Sequence, residues 1–288
     1  MDTTVTDQYC QEKALQSGSS FYYSFLFLPP PQRKAIMALY AFCREVDDIV
    51  DECTDKEIAA RKLEWWFDEI QRIYANTALH PIGQALMNAK AQFNLQKHLF
   101  EEILQGMKMD LTYQGYQTFE DLRVYCHCAA SAPGLLAAEI FGYEDPKTLE
   151  YAKYLGMAFQ LINIIRDVGE DVARDRIYLP EEDLAEFSLS VDEIINKKYS
   201  ENFILLMQKQ AKRARSYYEQ ALLSLPDRDK YKQRSGIIMA EIYFTLLTEI
   251  EKSGFRVLHQ RISLTPLRKL WIAWKTARKL KRNLPQCL

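Results

Sequence analysis

The segment Gly156-Met-Ala-Phe-Gln160-Leu-Ile-Asn163-Ile-Ile-Arg166-Asp167-Val-Gly-Glu170-Asp171 narrows the folds open to this chain more than any other. Leu161, Ile162, Ile164, Ile165 and Val168 leave it almost no polar side, and a helix that is apolar on most sides is buried. A helix turns about 100° per residue, so Gln160, Asn163, Asp167 and Asp171 nevertheless line up on one face, over ~16 Å. Carboxylates on a buried helix must be paired, bind a metal or line a wet cavity, because an isolated charge is not tolerated in a low-dielectric interior. The chain therefore has to fold as a helical body with polar space inside it.

A second segment sets the same condition. In Tyr40-Ala-Phe-Cys-Arg44-Glu-Val-Asp47-Asp48-Ile-Val-Asp51 the residues Tyr40, Arg44, Asp47 and Asp51 share a face. Asp48 lies just beside it, and Cys43, Val46, Ile49 and Val50 fill much of the remainder. Like charges four residues apart weaken a helix by ~0.2–0.5 kcal/mol, so such clustering calls for a counter-ion. Two facing stripes of oxygen donors suit Mg²⁺, with Mn²⁺ as a substitute: it takes octahedral oxygen coordination from one or two carboxylates plus substrate phosphate oxygens. The candidate ligands are Asp47, Asp48, Asp51, Asn163, Asp167 and Asp171. Neither stripe offers His or Cys at zinc spacing. Arg44 and Arg166 stand where a diphosphate would need donors. One acidic pair on a helix is usually a solvated face. Two such stripes, each in an apolar helix with a basic neighbour, favour the metal.

The rest of the chain is read as all-α. After Pro29-Pro-Pro31 comes a helix through Glu52, and further helices are expected at 56–76, 95–111, 118–140, 147–172, 193–224, 230–253 and 266–282. Gly and Pro number only ten each, no stretch reads as a linker and no alternating run is flanked by hairpin turns, so one continuous domain over 1–288 is expected. The net charge of −2 carries no nucleic-acid signature. From Pro266 onward there are seven Lys/Arg and no Asp or Glu, which makes 266–288 a basic amphipathic tail on an acidic body. Trp271 and Trp274 within it suit peripheral contact of 266–282 with anionic lipid, weighed against a packed terminal helix with a solvated basic face. The polar N-terminus reads as no signal peptide, no 18-residue apolar run is visible, and the six cysteines form no regular framework. A reducing cytoplasm is the expected location, with the inner face of the cytoplasmic membrane as the docking surface.

At this point the sequence resembles the head-to-head trans-prenyltransferases of the squalene/phytoene synthase family. The resemblance covers nearly the whole chain. It rests on Ser19-Ser20-Phe21-Tyr22, Arg44-Glu-Val-Asp47-Asp48-Ile-Val-Asp51, Tyr125-Cys126, the segment Gln160–Asp171 and Arg176-Ile-Tyr178-Leu-Pro180. SGSSFYYSFLFLPP, Gly106-Met-Lys-Met-Asp-Leu111 and GFRVLHQRISLTPLRKLWIAWKT look most like bacterial presqualene diphosphate synthases of hopanoid pathways. The family implies an isoprenoid-synthase helical bundle around a central cavity. By resemblance, Asp47 and Asp51 form the first aspartate motif, and Asn163, Asp167 and Asp171 the second. Arg44, Arg166 and Gln160 would sit near the diphosphates. Ser20, Phe21, Tyr40, Tyr125 and Tyr243 would belong to the site, Tyr125 among its catalytic groups. Arg176 and Tyr178 would form a flap, and Arg261 would be a late diphosphate contact.

The implied reaction is Mg²⁺-dependent ionisation of one farnesyl diphosphate and capture by a second, giving presqualene diphosphate and diphosphate. NADPH is not expected to be required, and downstream isoprenoid enzymes would take the product. Phytoene, dehydrosqualene and squalene synthases are the alternatives on the same fold. A terpene cyclase would use a single diphosphate, and a non-catalytic lipid-binding scaffold would tolerate loss of a motif aspartate, which has not happened here. The run Cys126-His-Cys-Ala-Ala-Ser-Ala-Pro133-Gly134 departs from the family pattern, and Pro133 is expected to kink or loosen its helix. Cys126, His127 and Cys128 fan out on a helix and cannot converge on one metal, so they are read as buried thiols and a neighbour.

Overall fold

The computed structural model describes residues 3–16 and 24–282, and these contain helices and turns but no strand. The helices are α1 (Thr3–Gln16), α2 (Pro30–Glu52), α3 (Lys56–Tyr74), α4 (Pro81–Lys90), α5 (Lys97–Leu111), α6 (Phe119–Cys126), α7 (Ala132–Phe141), α8 (Lys147–Val172), α9 (Glu181–Glu186), α10 (Val191–Ile195), α11 (Glu201–Ser224), α12 (Arg234–Lys252) and α13 (Pro266–Arg282). The all-α expectation holds, and the long helices fall where the period-3.6 pattern places them.

Several boundaries differ for identifiable reasons. Helix α2 starts inside the proline run, with Pro29 as its cap, because the first turn needs no backbone N–H donors. The helix expected over 193–224 is broken: Lys197 takes a left-handed φ of 52°, and Ser200 then caps α11 by accepting from Phe203 N. Helices α1, α4 and α9 are additions. Among its described side chains helix α1 buries Thr6, Cys10 and Ala14, too thin a stripe for periodicity to reveal.

Pro133 does not break its helix. A π-helical turn, His127–Ser131, absorbs the register change, and Pro133 falls in the first turn of α7, where its missing N–H costs nothing. Gly156 of α8 makes this possible. A Cβ there would stand 2.6 Å from Ala130 O and 2.7 Å from Ser131 Cα, so only glycine lets the π turn lie against α8. By length and apolarity the run Phe119–Phe141 qualifies as a membrane span, the one such helix among the described residues, although the sequence reading found none. Half of its most apolar window is buried inside the protein, and it packs on α5 and α8.

Buried side chains gather in two groups. One is built from α1–α5 and α7, with Phe42, Trp66 and Phe100 stacked edge to face at its centre. The other is built around α8, α11 and α12, with Tyr151, Phe203 and Ile238 fully buried. Helix α2 belongs to the first and α8 to the second, so the two carboxylate stripes come from opposite halves of the core.

Candidate active site

Four of the stripe acids, Asp47, Asp48, Asp51 and Asp167, are met by arginines. Arg44 donates from Nη1 to Asp47 Oδ2 at 2.8 Å, and its Nη2 lies 2.7 Å from Asp48 Oδ1. Asp48 also pairs with Lys13 of α1 at 2.9 Å, which fastens it to the neighbouring helix. Asp51 accepts from Arg174 at 2.7 Å and Arg176 at 2.9 Å, both from the segment after α8. Asp167 accepts from Arg166 Nε at 2.7 Å and pairs with Arg261 at 3.1 Å, while Arg261 also reaches Glu170 at 3.2 Å. The side chains remain open to solvent, from 14% exposed at Asp51 to 40% at Asp47.

Arg261 is placed by a glycine. A Cβ on Gly169 would sit 2.3 Å from Leu258 O and 2.6 Å from Val257 O. The turn at 256–258, entered through Phe255 with φ 58°, can therefore lie directly on α8 and carry Arg261 to the second motif. Gly169 is inside that motif, so one residue serves both the helix and its late basic partner.

Tyrosines form the wall beside the acids. Tyr125 OH donates to Asp110 Oδ2 at 2.9 Å and Tyr178 OH to Asp110 Oδ1 at 2.7 Å. The Tyr125 and Tyr178 rings stack with centroids 5.2 Å apart, and Tyr116 stacks on Tyr178 at 6.1 Å. Tyr113, in the loop after α5, exchanges hydrogen bonds with the backbone of Ile177, which closes the flap segment onto that loop. Tyr243 packs against Phe159 at 4.5 Å within electrostatic reach of Arg166, Tyr40 and Asp167. Gln160 accepts from Asn163 Nδ2 at 3.4 Å. Ser20 and Phe21, expected in the site, lie outside the described residues. Cys126 and Cys128 are buried thiols, and His127 meets Glu102 at 3.1 Å, so the three do not converge.

Three residues that the sequence reading gave no role belong here. Asp110 is buried at the end of the inner face of α5 (Leu99, Ile103, Met107), an acid where an apolar residue is due. Arg174 pairs with Asp51. Lys269 of α13 has its pKa lowered by burial and by the nearby cations Arg166 and Arg261, which adds a third positive charge to one spot. Arginine spacing could have revealed Arg174; Lys269 is visible only once the inner face of α13 (269, 272, 273, 276) is known.

The acids of this cluster differ physically from other buried acids. Asp183 accepts from Gln210 and Arg213 and pairs with Lys209, and these partners hold its pKa low. Asp229 accepts from Glu144 N, Asp145 N and Thr148 Oγ1. By contrast burial, then Asp51, pushes Asp47 up to about 7, and burial, then Asp167, pushes Asp171 up to about 7. Burial holds Asp110 at about 6 although two tyrosines donate to it. Asp110 raises both Asp47 and Asp171, so the two stripes converge on one negative field. Asn163 Oδ1 is a buried oxygen without a hydrogen-bond partner. Crowded carboxylates and an unsatisfied amide oxygen are the donor set of a hard divalent cation. No three His, Cys, Asp or Glu among the described residues converge on one point, so an ion here would complete its shell with waters and phosphate oxygens.

A raised folded-state pKa means that the folded chain binds extra protons. Its stabilising contribution is full below the unfolded value near 4 and is lost as pH rises through about 7. The protein in EDTA is therefore expected to melt a few degrees higher at pH 5.5 than at pH 8. Mg²⁺ with inorganic diphosphate should close that gap from the pH 8 side. Equal melting at both pH values would show that these acids are not strained.

Comparison with known proteins decides the family. The squalene/phytoene synthase profile matches residues 14–268. This chain belongs to the squalene/phytoene synthase family. The family condenses prenyl diphosphates head to head, and the chain is a prenyltransferase of that type. It is 31% identical to a phytoene synthase of Arthrospira platensis, over 93% of this chain and 91% of that protein. It is 33% identical to a 15-cis-phytoene synthase of Synechococcus elongatus, over 91% and 89%. Its fold matches a ligand-bound dehydrosqualene synthase crystal structure with TM-score 0.88 at 26% identity, over 98% of both chains. The squalene synthase HpnC of Alicyclobacillus acidocaldarius matches at 0.77 and 27%, over 88% of this chain and 96% of that one. These neighbours share the isoprenoid-synthase helical fold expected from the sequence.

Proposed function

We propose that this family member joins two farnesyl diphosphates into the C30 cyclopropyl product presqualene diphosphate, releases diphosphate and a proton, and uses no nicotinamide reductant. The observation that carries the condensation is the pair of arginine-bound carboxylate stripes on α2 and α8, joined through Asp110. Farnesyl as the chain length is supported by the likeness to a dehydrosqualene synthase over 98% of both chains.

Mg²⁺, or Mn²⁺ in its place, would be held by Asp47, Asp51, Asn163, Asp167 and Asp171 and supplies Lewis-acid neutralisation of the departing diphosphate. The protein's own groups do the rest. Arg44, Arg166, Arg261 and Lys269 bind diphosphate oxygens, exchanging carboxylate partners for phosphate. Arg174 and Arg176 hold the flap on Asp51 and exclude water, which would otherwise quench an allylic cation. Rings of Tyr125, Tyr178, Tyr243 and Phe159 face that cation and stabilise it by ~1–2 kcal/mol each when dry. The second substrate's double bond attacks C1 of the cation, and loss of a proton closes the cyclopropane. The hydrogen-bonded Tyr125–Asp110–Tyr178 set, or the released diphosphate, accepts that proton.

A C40 reading, phytoene from two geranylgeranyl diphosphates, is favoured by the curated relatives, which are named phytoene synthases. Purified protein incubated with Mg²⁺ and either substrate, with and without NADPH, separates the two by mass spectrometry. A C30 cyclopropyl diphosphate unchanged by NADPH is the expected result. A finished C30 hydrocarbon, or turnover of geranylgeranyl diphosphate alone, would overturn it.

A further inference from the structure

Helix α13 has two apolar faces. Its inner face, Lys269, Ile272, Ala273, Thr276, Ala277 and Leu280, repeats at three and four and lies against the protein, with Ile272 and Ala273 buried. Helix α12 is its main support. The outer face is the unusual one. Leu267, Leu270, Trp271 and Trp274, also spaced by three and four, are 79%, 41%, 56% and 52% exposed. A core-packing explanation therefore fails for both tryptophans. The stripe is bordered by cations on the same side: Lys275 stands 4.9 Å from the centre of the Trp271 ring and Arg278 5.2 Å from that of Trp274. Lys279, Lys281 and Arg282 continue the charge, and no acid occurs between Pro266 and Arg282. Glu249 of α12, shared with Lys252, pairs with Arg268 at the start of α13.

We infer that the outer face of α13 docks on an anionic lipid bilayer, with Leu267, Leu270, Trp271 and Trp274 in the headgroup–acyl boundary and the cations on lipid phosphates. Indole rings settle at that depth, and Lys and Arg stems lie along apolar surface while their charges stay in water. Each basic group held near an anionic surface strengthens binding roughly fivefold. A second copy of this chain is a poorer occupant. A two-fold contact would set this cationic stripe against itself, and like charges face to face repel. Nucleic acid fits less well, since the centre of the patch is two leucines and two indoles on a chain of net charge −2. The docking does not depend on which product is made. One consequence does rest on the proposed function. Lys269, on the inner face of the same helix, is near Arg166 and Arg261, so the bilayer would lie about one helix diameter, ~10 Å, from the diphosphate site. A C30 product would then have a short path into lipid.

The test is flotation of the full chain with phosphatidylcholine vesicles, pure or containing about a third phosphatidylglycerol. The expected result is binding to the anionic vesicles, little to the neutral ones, and release at high salt. W271S/W274S and, separately, K275E/R278E should each lower the bound fraction at least tenfold. Both variants should keep the wild-type circular dichroism spectrum and vesicle-free turnover, because every altered side chain is exposed. Equal flotation of wild type and both variants would overturn the inference, as would the absence of binding to anionic vesicles. A solution dimer that W271S/W274S converts to monomer, or binding of duplex DNA lost in the same variants without vesicle binding, would equally assign the stripe to another occupant. Absence of turnover in a wild-type chain that still floats with anionic vesicles would count against the reaction proposed above and leave the docking standing.

Discussion

Asp47→Asn and Asp167→Asn are each expected to lower turnover by at least ~10²-fold without lowering the melting temperature, since removing one electrostatic contributor from a preorganised site commonly has that effect. The size follows from what each carboxylate touches. Asp167 is the meeting point of Arg166 and Arg261, and Asp47 is the partner of Arg44. An amide keeps the shape but loses the charge that would hold a divalent ion and set those arginines for diphosphate. Stability should move the other way for Asp47. Burial and Asp51 push its pKa up to about 7, but the side chain is 40% exposed and water screens much of that strain, so the gain from neutralising it at pH 8 should be small. Asp229→Asn is the control. That acid accepts three hydrogen bonds from the 144–148 segment, and the change should lower the melting temperature before it touches turnover. Calorimetry and a diphosphate-release assay on the three variants separate site from scaffold. Residual turnover above a tenth of wild type in either site variant would remove these acids from the proposed metal set.

The same contrast explains what was readable in the sequence. Periodicity located α8 and α13 to the residue and α2, α3, α5 and α12 to within a few, because each carries a broad apolar stripe that tertiary packing rewards. It missed α1 and α4, where a short or mostly polar helix is ordered by contacts with other elements; Glu69 of α3, for instance, accepts from Leu79 N and His80 N at the start of α4. Pro133 was read correctly as a disturbance, but its effect was local. A π turn is a register change of one residue, and it needs Gly156 on another helix to give it room, which no local pattern reports.

The stripes themselves were legible because charge inside an apolar helix is physically anomalous. Their partners were less so. Arg174 and Arg176 reach back across more than a hundred residues to Asp51. Asp48 reads as a ligand by its neighbours, yet it is tied to Lys13 on a helix the sequence did not reveal. Asp110 was quoted within Gly106–Leu111 without a role, although an acid closing the buried stripe of α5 is the same kind of anomaly as Asp167.

Asp110 is where the second large effect is expected. It is the shared acceptor of Tyr125 and Tyr178, it is buried, and it raises both Asp47 and Asp171. Asp110→Leu leaves two phenol hydroxyls without their acceptor, at about 1–3 kcal/mol each, less the relief of removing a carboxyl held at about 6. A net loss of ~2–4 kcal/mol should appear as a clear fall in melting temperature. Turnover should fall by ~10²-fold, because Tyr178 lies in the flap segment and Tyr125 in the wall, and their stacking at 5.2 Å depends on a common anchor. Asp110→Asn separates anchoring from charge. Its Oδ1 still accepts from one tyrosine, so most of the stability should return while the two hydroxyls can no longer share one acid. The decisive measurement is a double-mutant cycle of Asp110→Asn with Tyr125→Phe. If the two act as one unit, the double variant should be little worse than the poorer single one, with a coupling of ~1–2 kcal/mol in kcat/KM. Additive losses would mean that Asp110 holds the fold beside the site and takes no part in aligning the tyrosine with the substrate.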